Sequence, residues 1–362
     1  MDDVAQTPGL DTALTVATVM HFRVAVLVPC RNEAASVARV VRDFRAALPD
    51  CTVYVYDNGS VDGTGELASR AGAVVRREER PGKGGVVRRM FAEVDADVYV
   101  LVDGDATYDA TRAPDLVATL VEGDLDMVTA IRDHEGRGGA YRRGHHFGNR
   151  AFNAFIGGLF GTRPADMFSG YRAFSRRFVK SFPGTSRGFE IETELTVHTL
   201  EQRLPTAELP ARYFERPQGS SSKLATYRDG ARILAKMIVL FKDVKPTVFF
   251  GGFAVLFGIV GVVLGAGVIV EFMETRYVTR LPTAVLATGL MLLAFIALAC
   301  GLILDSVARG RREAKRMAYL AAGAQRTSQL ADELLERVSG PLDAGHSETR
   351  AVGTAKLGGT AR

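Results

Sequence analysis

Two long stretches of this 362-residue sequence lack any charged residue, and that absence sets the class of the protein before any motif is read. Residues 247–270 and 281–304 each run 24 positions without Asp, Glu, Lys or Arg. A helix needs about 20 such residues to cross the hydrocarbon core of a bilayer. Cysteine is scarce. Cys30, Cys51 and Cys300 form no C-x-x-C pair and leave an odd one, which argues against a disulfide framework or a structural zinc and for a reducing compartment. Net charge is only +4, and no segment is basic enough to mark a nucleic-acid surface. The opening "MDDVAQTPGLD" has no basic flank and no apolar core, so it does not read as a signal peptide. Glycine is missing where a dinucleotide-binding turn would need it. The first apolar run ends in "VPCRNEA", with no G-x-G-x-x-G after it and no P-loop elsewhere.

The flanks of the uncharged runs orient them. Arg228, Arg232, Lys236, Lys242 and Lys245 precede the first; Arg309, Arg311, Arg312, Lys315 and Arg316 follow the second. The connection "EFMETRYVTR" carries only Arg276 and Arg280, offset by Glu271 and Glu274. Basic flanks stay inside. A two-span hairpin in the cell (inner or plasma) membrane follows, with the preceding domain and both termini cytoplasmic. Gly258, Gly261 and Gly265 offer small residues where the spans can approach.

The region before the hairpin alternates short apolar runs with helical periodicity. "FRVAVLVPC", "TVYVYDNG", "AVVRRE" and "DVYVLVDGD" read as strands, and the segments between them as helices. The βαβαβαβ order calls for an α/β domain with a mostly parallel sheet and helices on both faces. Right-handed crossovers place every strand's C-terminal end on one rim. Arg31, Asn32 and Glu33 then face Asp57, Asn58 and Asp62, with Asp103 and Asp105 beside them. Read as a continuation of the strand, Asp103 and Asp105 point to one side and either hold a metal or merely close the strand.

"VPCRNEA", "YDNGSVDGT", "PGKGGVVRR" and "LVDGDATYD", in that order, resemble family-2 glycosyltransferases of the GT-A fold. Farther on, "DMFSGYRAFSRR" (166–177), "GFEIETEL" (188–195) and "ERPQGSSSKLATYRDG" (215–230) resemble the polyprenyl-phosphate branch, which holds dolichyl-phosphate-mannose-synthase-like enzymes and undecaprenyl-phosphate glucosyltransferases. The resemblance covers about residues 22–240 and implies the following roles. Asp105 and Asp103 bind Mg2+ or Mn2+ bridging a nucleotide diphosphate, a hard cation that prefers oxygen ligands. Pro29, Arg31, Glu33 and Asp57 shape the donor pocket. Lys83 reaches the base or phosphates, or else is a solvated residue before a helix. Asp62 caps the next helix or touches ligand. Arg216, Ser222 and Lys223 grip the donor diphosphate from a loop that closes over it, with Ser221 as a further hydrogen-bond donor. Arg132, Arg142 and Arg143 grip the lipid phosphate, for which a guanidinium fork is suited. His145 and His146 are adjacent and do not face one point on a helix. "NAFIGGLFG" borders the lipid path or packs in the core. Glu190 orders the acceptor arginines, and none of Glu190, Glu192 and Glu194 is assigned as a base.

The implied reaction is inverting transfer of a sugar from a nucleotide-sugar, UDP-glucose favoured, to polyprenyl phosphate. A phosphate acceptor is already anionic and dispenses with a strong base, so positioning and leaving-group stabilisation carry the catalysis. Two other readings stay open: another lipid acceptor, or a non-catalytic membrane-anchored nucleotide-sugar-binding protein. Tryptophan is absent, and with it the Q-x-x-R-W motif of processive polymer synthases, which favours single transfer. The resulting organisation is an N-terminal extension (1–21), the catalytic domain (22–227) and an amphipathic interface helix (228–246). The spans lie within 247–304, followed by a cytoplasmic helix (305–338) and a disordered tail (339–362). Relatives with such hairpins suggest a homo-oligomer.

Overall fold

The computed structural model describes residues 22–133, 154–184, 188, 190–214, 235 and 237–339, with side chains to 323. Seven strands form one sheet: β1 (Val24–Cys30), β2 (Thr52–Asp57), β3 (Val74–Arg77), β4 (Val98–Leu101), β5 (Met127–Asp133), β6 (Arg172–Ser175) and β7 (Thr206–Arg212). Their order is β3-β2-β1-β4-β6-β5-β7. All neighbours run parallel except β6, which is antiparallel to both β4 and β5. This is the mostly parallel α/β sheet that the sequence reading expects.

Alternation along β1 builds two cores. Val24, Val26, Val28 and Cys30 face one side, with Val37, Val40, Val41 and Phe44 of α1 (Val37–Ala47) packed over them. That i, i+3, i+4, i+7 spacing is one helical stripe, and burying each large side chain contributes about 1.5–3 kcal/mol. Ala25 and Leu27 face the other side, beneath Val86, Val87, Met90 and Phe91 of α3 (Lys83–Glu93). Helix α2 (Thr64–Arg70) links β2 to β3, and α4 (Ala113–Glu122) joins the first layer. Helices α5 (Arg176–Ser181) and α6 (Ile191–Gln202) cover the second through Phe178, Ile191 and Leu195.

The helices long and apolar enough to cross a membrane, among the described residues, are α7 (Pro246–Thr275) and the apolar part of α8 (Leu281–Ser339). Pro246 at the first position of α7 loses no hydrogen bond there. The glycine series lies along the contact between the two helices, and only Gly261 sits at a tight approach. A Cβ at Gly261 would sit 3.1 Å from Met291 Cγ, at Gly265 3.7 Å from Ala287 Cβ, and at Gly258 3.9 Å from Ala294 Cβ. Outer faces are bare, with Phe295 73% and Val263 66% exposed. Apolar surface of that extent marks a face made to associate with a membrane or with another apolar surface.

Two features on either side of the apolar helices add to the sequence reading. Helix α8 is one uninterrupted 59-residue element, so the change at Asp305 from apolar to charged residues is chemical and not conformational. Beyond it α8 grips the catalytic domain: Lys315 Nζ meets Glu201 Oε2 at 2.7 Å, Gln202 Nε2 donates to Arg312 O at 3.3 Å, and Tyr319 OH donates to Asp126 Oδ2 at 2.9 Å. The helix before the spans also leans on the domain. Residues 237–244 are helical, with Met237 and Leu240 packed against Ile156, Met167 and Val197, while Ile238 and Val239 face outward. Within "NAFIGGLFG", Ile156 and Leu159 are buried, so those two side chains pack in the core.

Candidate active site

The register of β1, β2 and β4 sets the rim. Cys30 stands opposite Asp57, and Leu27 opposite Leu101. Asn58 N donates to Cys30 O at 2.8 Å and Val102 N to Leu27 O at 3.0 Å, so three strand ends finish side by side. Burial pushes the Cys30 thiol well up, and Glu33, Asp57, Asp103 and Asp105 add to it. Four carboxylates from three strand ends therefore stand near enough to this buried thiol to oppose its ionisation.

The D-x-D pair sits in a turn, not in extended strand, because β4 ends at Leu101. The alternation of a strand therefore does not orient the two acids; local contacts do. A Cβ at Gly104 would collide with Cys30 Sγ, so only glycine lets the backbone cross that close to β1. Ser36 Oγ, in the turn before α1, donates to Gly104 O at 2.7 Å. Ala106 takes a left-handed φ of 56°. Asp105 is buried, and its Oδ1 accepts from Thr107 N at 3.2 Å and Thr107 Oγ1 at 2.6 Å. Asp103 is more open, with 31% of its side chain exposed.

The β2 end is held by side chains acting on backbone. Asp57 Oδ1 accepts from Ser60 N at 2.9 Å, and a Cβ at Gly65 would sit 3.4 Å from Asp57 Oδ2. Asp62 serves structure: it accepts from Ala34 N at 3.1 Å, Thr64 N at 3.1 Å and Thr64 Oγ1 at 2.5 Å, tying the β1 loop to the start of α2. Burial would raise its carboxyl, but these hydrogen bonds outweigh it and hold it below the usual range. Buried Asn58 organises the loop before Lys83. Its Nδ2 donates to Glu78 O at 2.9 Å and Arg80 O at 2.7 Å, and its Oδ1 accepts from Gly82 N at 2.8 Å. Pro29 and Glu33 are half-buried at this rim and Arg31 is exposed.

Lys83 is not a solvated residue. Its ammonium is buried between Asp103 Oδ1 and Glu192 Oε1, at the first turns of α3 and α6. Burial alone would lower it, but the two carboxylates outweigh that and hold it well above its ordinary value. Arg132, at the end of β5, forms a two-pronged pair with Asp166: Nε to Oδ2 at 2.7 Å and Nη2 to Oδ1 at 2.8 Å. Its guanidinium also lies 5.6 Å from the Tyr213 ring centroid. Arg172 is fully buried, donating to Ser169 O at 2.9 Å, Met167 O at 2.6 Å and Thr196 Oγ1 at 2.8 Å. It thereby shapes the turn that carries Gly170, whose Cα packs against the Asp103 carboxylate.

Arg142, Arg143, Arg216, Ser221, Ser222, Lys223, His145 and His146 lie outside the described residues. The sequence reading placed Asn58 at the rim without a role, left Glu192 without one and did not single out Asp166. Helical phase singles out Glu192, because it lies three and four positions before buried Leu195 and Thr196.

The family-model description Glycosyl transferase family 2 matches residues 25–182. Glycosyltransferase AglJ of Haloferax volcanii is 38% identical over 234 residues, covering 64% of this chain and 77% of that protein. The chain belongs to glycosyltransferase family 2. This family-2 glycosyltransferase is also 26% identical over 212 residues to the undecaprenyl-phosphate mannosyltransferase of Micrococcus luteus, covering 55% of the chain and 87% of the relative. Those relatives agree with the polyprenyl-phosphate branch. Among solved structures it is similar to glucosyl-3-phosphoglycerate synthase from Mycobacterium tuberculosis in complex with Mn2+, uridine-diphosphate-glucose and phosphoglyceric acid. That likeness has a TM-score of 0.52 and 24% identity, covers 66% of this chain and 87% of that one, and establishes the fold.

The donor set of this family-2 glycosyltransferase fits a hard divalent cation that shares its coordination with a substrate. Among the described residues no three His, Cys, Asp or Glu side chains are grouped to hold a metal by themselves. Two neighbouring carboxylates on a turn match an ion that takes its remaining ligands from phosphate oxygens and water.

Proposed function

We propose that this enzyme transfers a sugar from a nucleotide-sugar, UDP-glucose favoured, to polyprenyl phosphate with inversion, giving polyprenyl-phosphate-sugar and nucleoside diphosphate. The observation that carries the reading is the grip of α8 on the catalytic domain. Arg312, Lys315 and Tyr319 hold the domain within a few turns of the apolar hairpin. A site tethered there serves an acceptor presented at a bilayer surface.

In this reading Asp105 and Asp103 hold Mg2+ or Mn2+, which supplies charge neutralisation on the departing diphosphate. Pro29, Arg31, Glu33 and Asp57 enclose the nucleoside, and Lys83 joins Arg216, Ser222 and Lys223 at the diphosphate. Arg132, Arg142 and Arg143 orient the acceptor phosphate, with Asp166 fixing the Arg132 fork. The acceptor oxygen is already ionised, so these residues work by alignment and electrostatics more than by proton removal. The basic flanks place the catalytic domain on the cytoplasmic side of the cell membrane.

The test supplies purified full-length protein with radiolabelled UDP-glucose or GDP-mannose and either polyprenyl phosphate or diacylglycerol, followed by thin-layer chromatography. Label in polyprenyl-phosphate-sugar is the expected result. Label only in a diacylglycerol product moves the enzyme to another acceptor. No transfer and no donor hydrolysis with any donor would return it to a binding protein.

A further inference from the structure

Lys83 lies between two carboxylates from different parts of the chain, and only one of them belongs to the D-x-D pair. Asp103 comes from the turn after β4; Glu192 comes from α6, and its side chain is only 7% exposed. The backbone around Glu192 is fixed as well: Thr196 Oγ1 donates to Glu192 O at 3.1 Å and itself accepts from buried Arg172 at 2.8 Å. On the other side the Asp103 carboxylate is pressed against Gly170. Asp103 and Glu192 therefore share one ammonium, each held from its own side.

We infer that Glu192 is a positioning residue that draws Lys83 away from Asp103, so that the Asp103 carboxylate can take a divalent cation. This rests on Asp103 and Asp105 binding the metal in the proposed reaction. The charges support the division of labour. Asp103, Asp105 and Glu192 outnumber Lys83, and Glu33 and Asp57 stand at the same rim, so the site keeps a negative excess that a divalent cation would offset. A metal and an ammonium on the same carboxylate repel each other, so the cation binds best when Lys83 has somewhere else to go. Glu192 provides that place without leaving a buried ammonium unpaired, an arrangement that would be costly. Lys83 remains within the site, pinned by α6, and available to a diphosphate that arrives with the metal.

The test is Mn2+ binding to the full-length donor-free protein, read as free Mn2+ by electron paramagnetic resonance, with thermal unfolding as a check on folding. Glu192→Gln leaves Lys83 with Asp103 alone, and Mn2+ affinity falls roughly tenfold, within the range for charges in one network. Lys83→Met removes the competitor, and affinity rises. The double variant Lys83→Met/Glu192→Gln binds like Lys83→Met, because Glu192 acts only through the lysine. A merely structural role for Glu192 would weaken both backgrounds alike, and that result overturns the inference. So does unchanged affinity in Glu192→Gln that is folded like the parent. If neither the parent chain nor Lys83→Met binds Mn2+, with UDP added as well as without it, the metal reading itself fails and the inference with it; a parent that binds while the cycle is additive overturns the inference alone.

Discussion

Replacing Gly104 by alanine would move the D-x-D turn, and Cys30 is the atom group that moves it. The added Cβ would collide with Cys30 Sγ and come within 3.5 Å of Val28 Cγ1 and 3.7 Å of Cys30 Cβ. Neither neighbour can yield, because Val28 and Cys30 are buried in the centre of β1 and at its end. The turn must therefore lift, against the Ser36 hydrogen bond to Gly104 O at 2.7 Å. Overpacking of this kind costs about 1–3 kcal/mol of stability. The effect on transfer is larger, since a displacement near 1 Å at reacting groups lowers rates about 100-fold. Cys30→Ala alone should cost about 1 kcal/mol and leave Asp103 and Asp105 in place. Combined with Gly104→Ala it makes room for the new methyl. The double variant should therefore recover at least tenfold of the lost transfer rate, roughly 1.4 kcal/mol. Denaturation midpoints and initial rates on the four proteins complete the cycle. Wild-type activity in Gly104→Ala, or additivity without recovery in the double variant, would refute the reasoning.

Three further outcomes are expected. Asp105→Asn should abolish sugar transfer while the melting transition is retained, and chelation by EDTA should do the same to the parent; full activity in EDTA rules out a metal role. His198 is buried against Phe178 and Phe182, with no hydrogen-bond partner for either ring nitrogen among the described residues, and burial, with Lys315 nearby, lowers its pKa to about 4. The unfolded chain, with a histidine pKa near 6.5, takes up the proton first, so this contribution is complete above about pH 6.5 and lost as pH falls toward about 4. It amounts to at most about 3 kcal/mol, and urea midpoints of His198→Leu should decline less over that window than those of the parent. Tyr319→Phe removes the hydrogen bond to Asp126, which is fully buried and also accepts from Arg177 Nε at 2.6 Å and Ser175 Oγ at 2.7 Å. A loss of about 1–2 kcal/mol and faster amide exchange in the last described turns of α8 should follow; unchanged exchange would mean that the grip rests elsewhere.

The first half of the catalytic domain was legible because β1 to β4 alternate with amphipathic helices, and each strand ends at polar residues. The second half was not. β6 is four residues, "RAFS", inserted antiparallel between β4 and β5, and a run that short carries no periodicity of its own. The rim acids were found from strand order, yet their geometry was misread. Asp103 and Asp105 follow the end of β4, and a close approach to Cys30, invisible in a linear pattern, sets their direction. Lys83 and Glu192 pair across 109 residues and Arg132 and Asp166 across 34, separations that sequence spacing does not encode. The two apolar helices were the clearest signal, since absence of charge over 24 residues needs no partner to be read.

Because α8 runs unbroken from the hairpin to its contacts on the catalytic domain, it sets orientation as well as distance. Each residue between Asp305 and Arg312 adds about 1.5 Å of height and about 100° of rotation. One inserted residue would leave the domain almost as near the hairpin but swing its opening around to a different quarter. Seven, close to two full turns, would restore the heading and raise the domain by about 10 Å. Height and heading are thus coupled through a single shaft, and the length of that segment is constrained by phase more tightly than by reach.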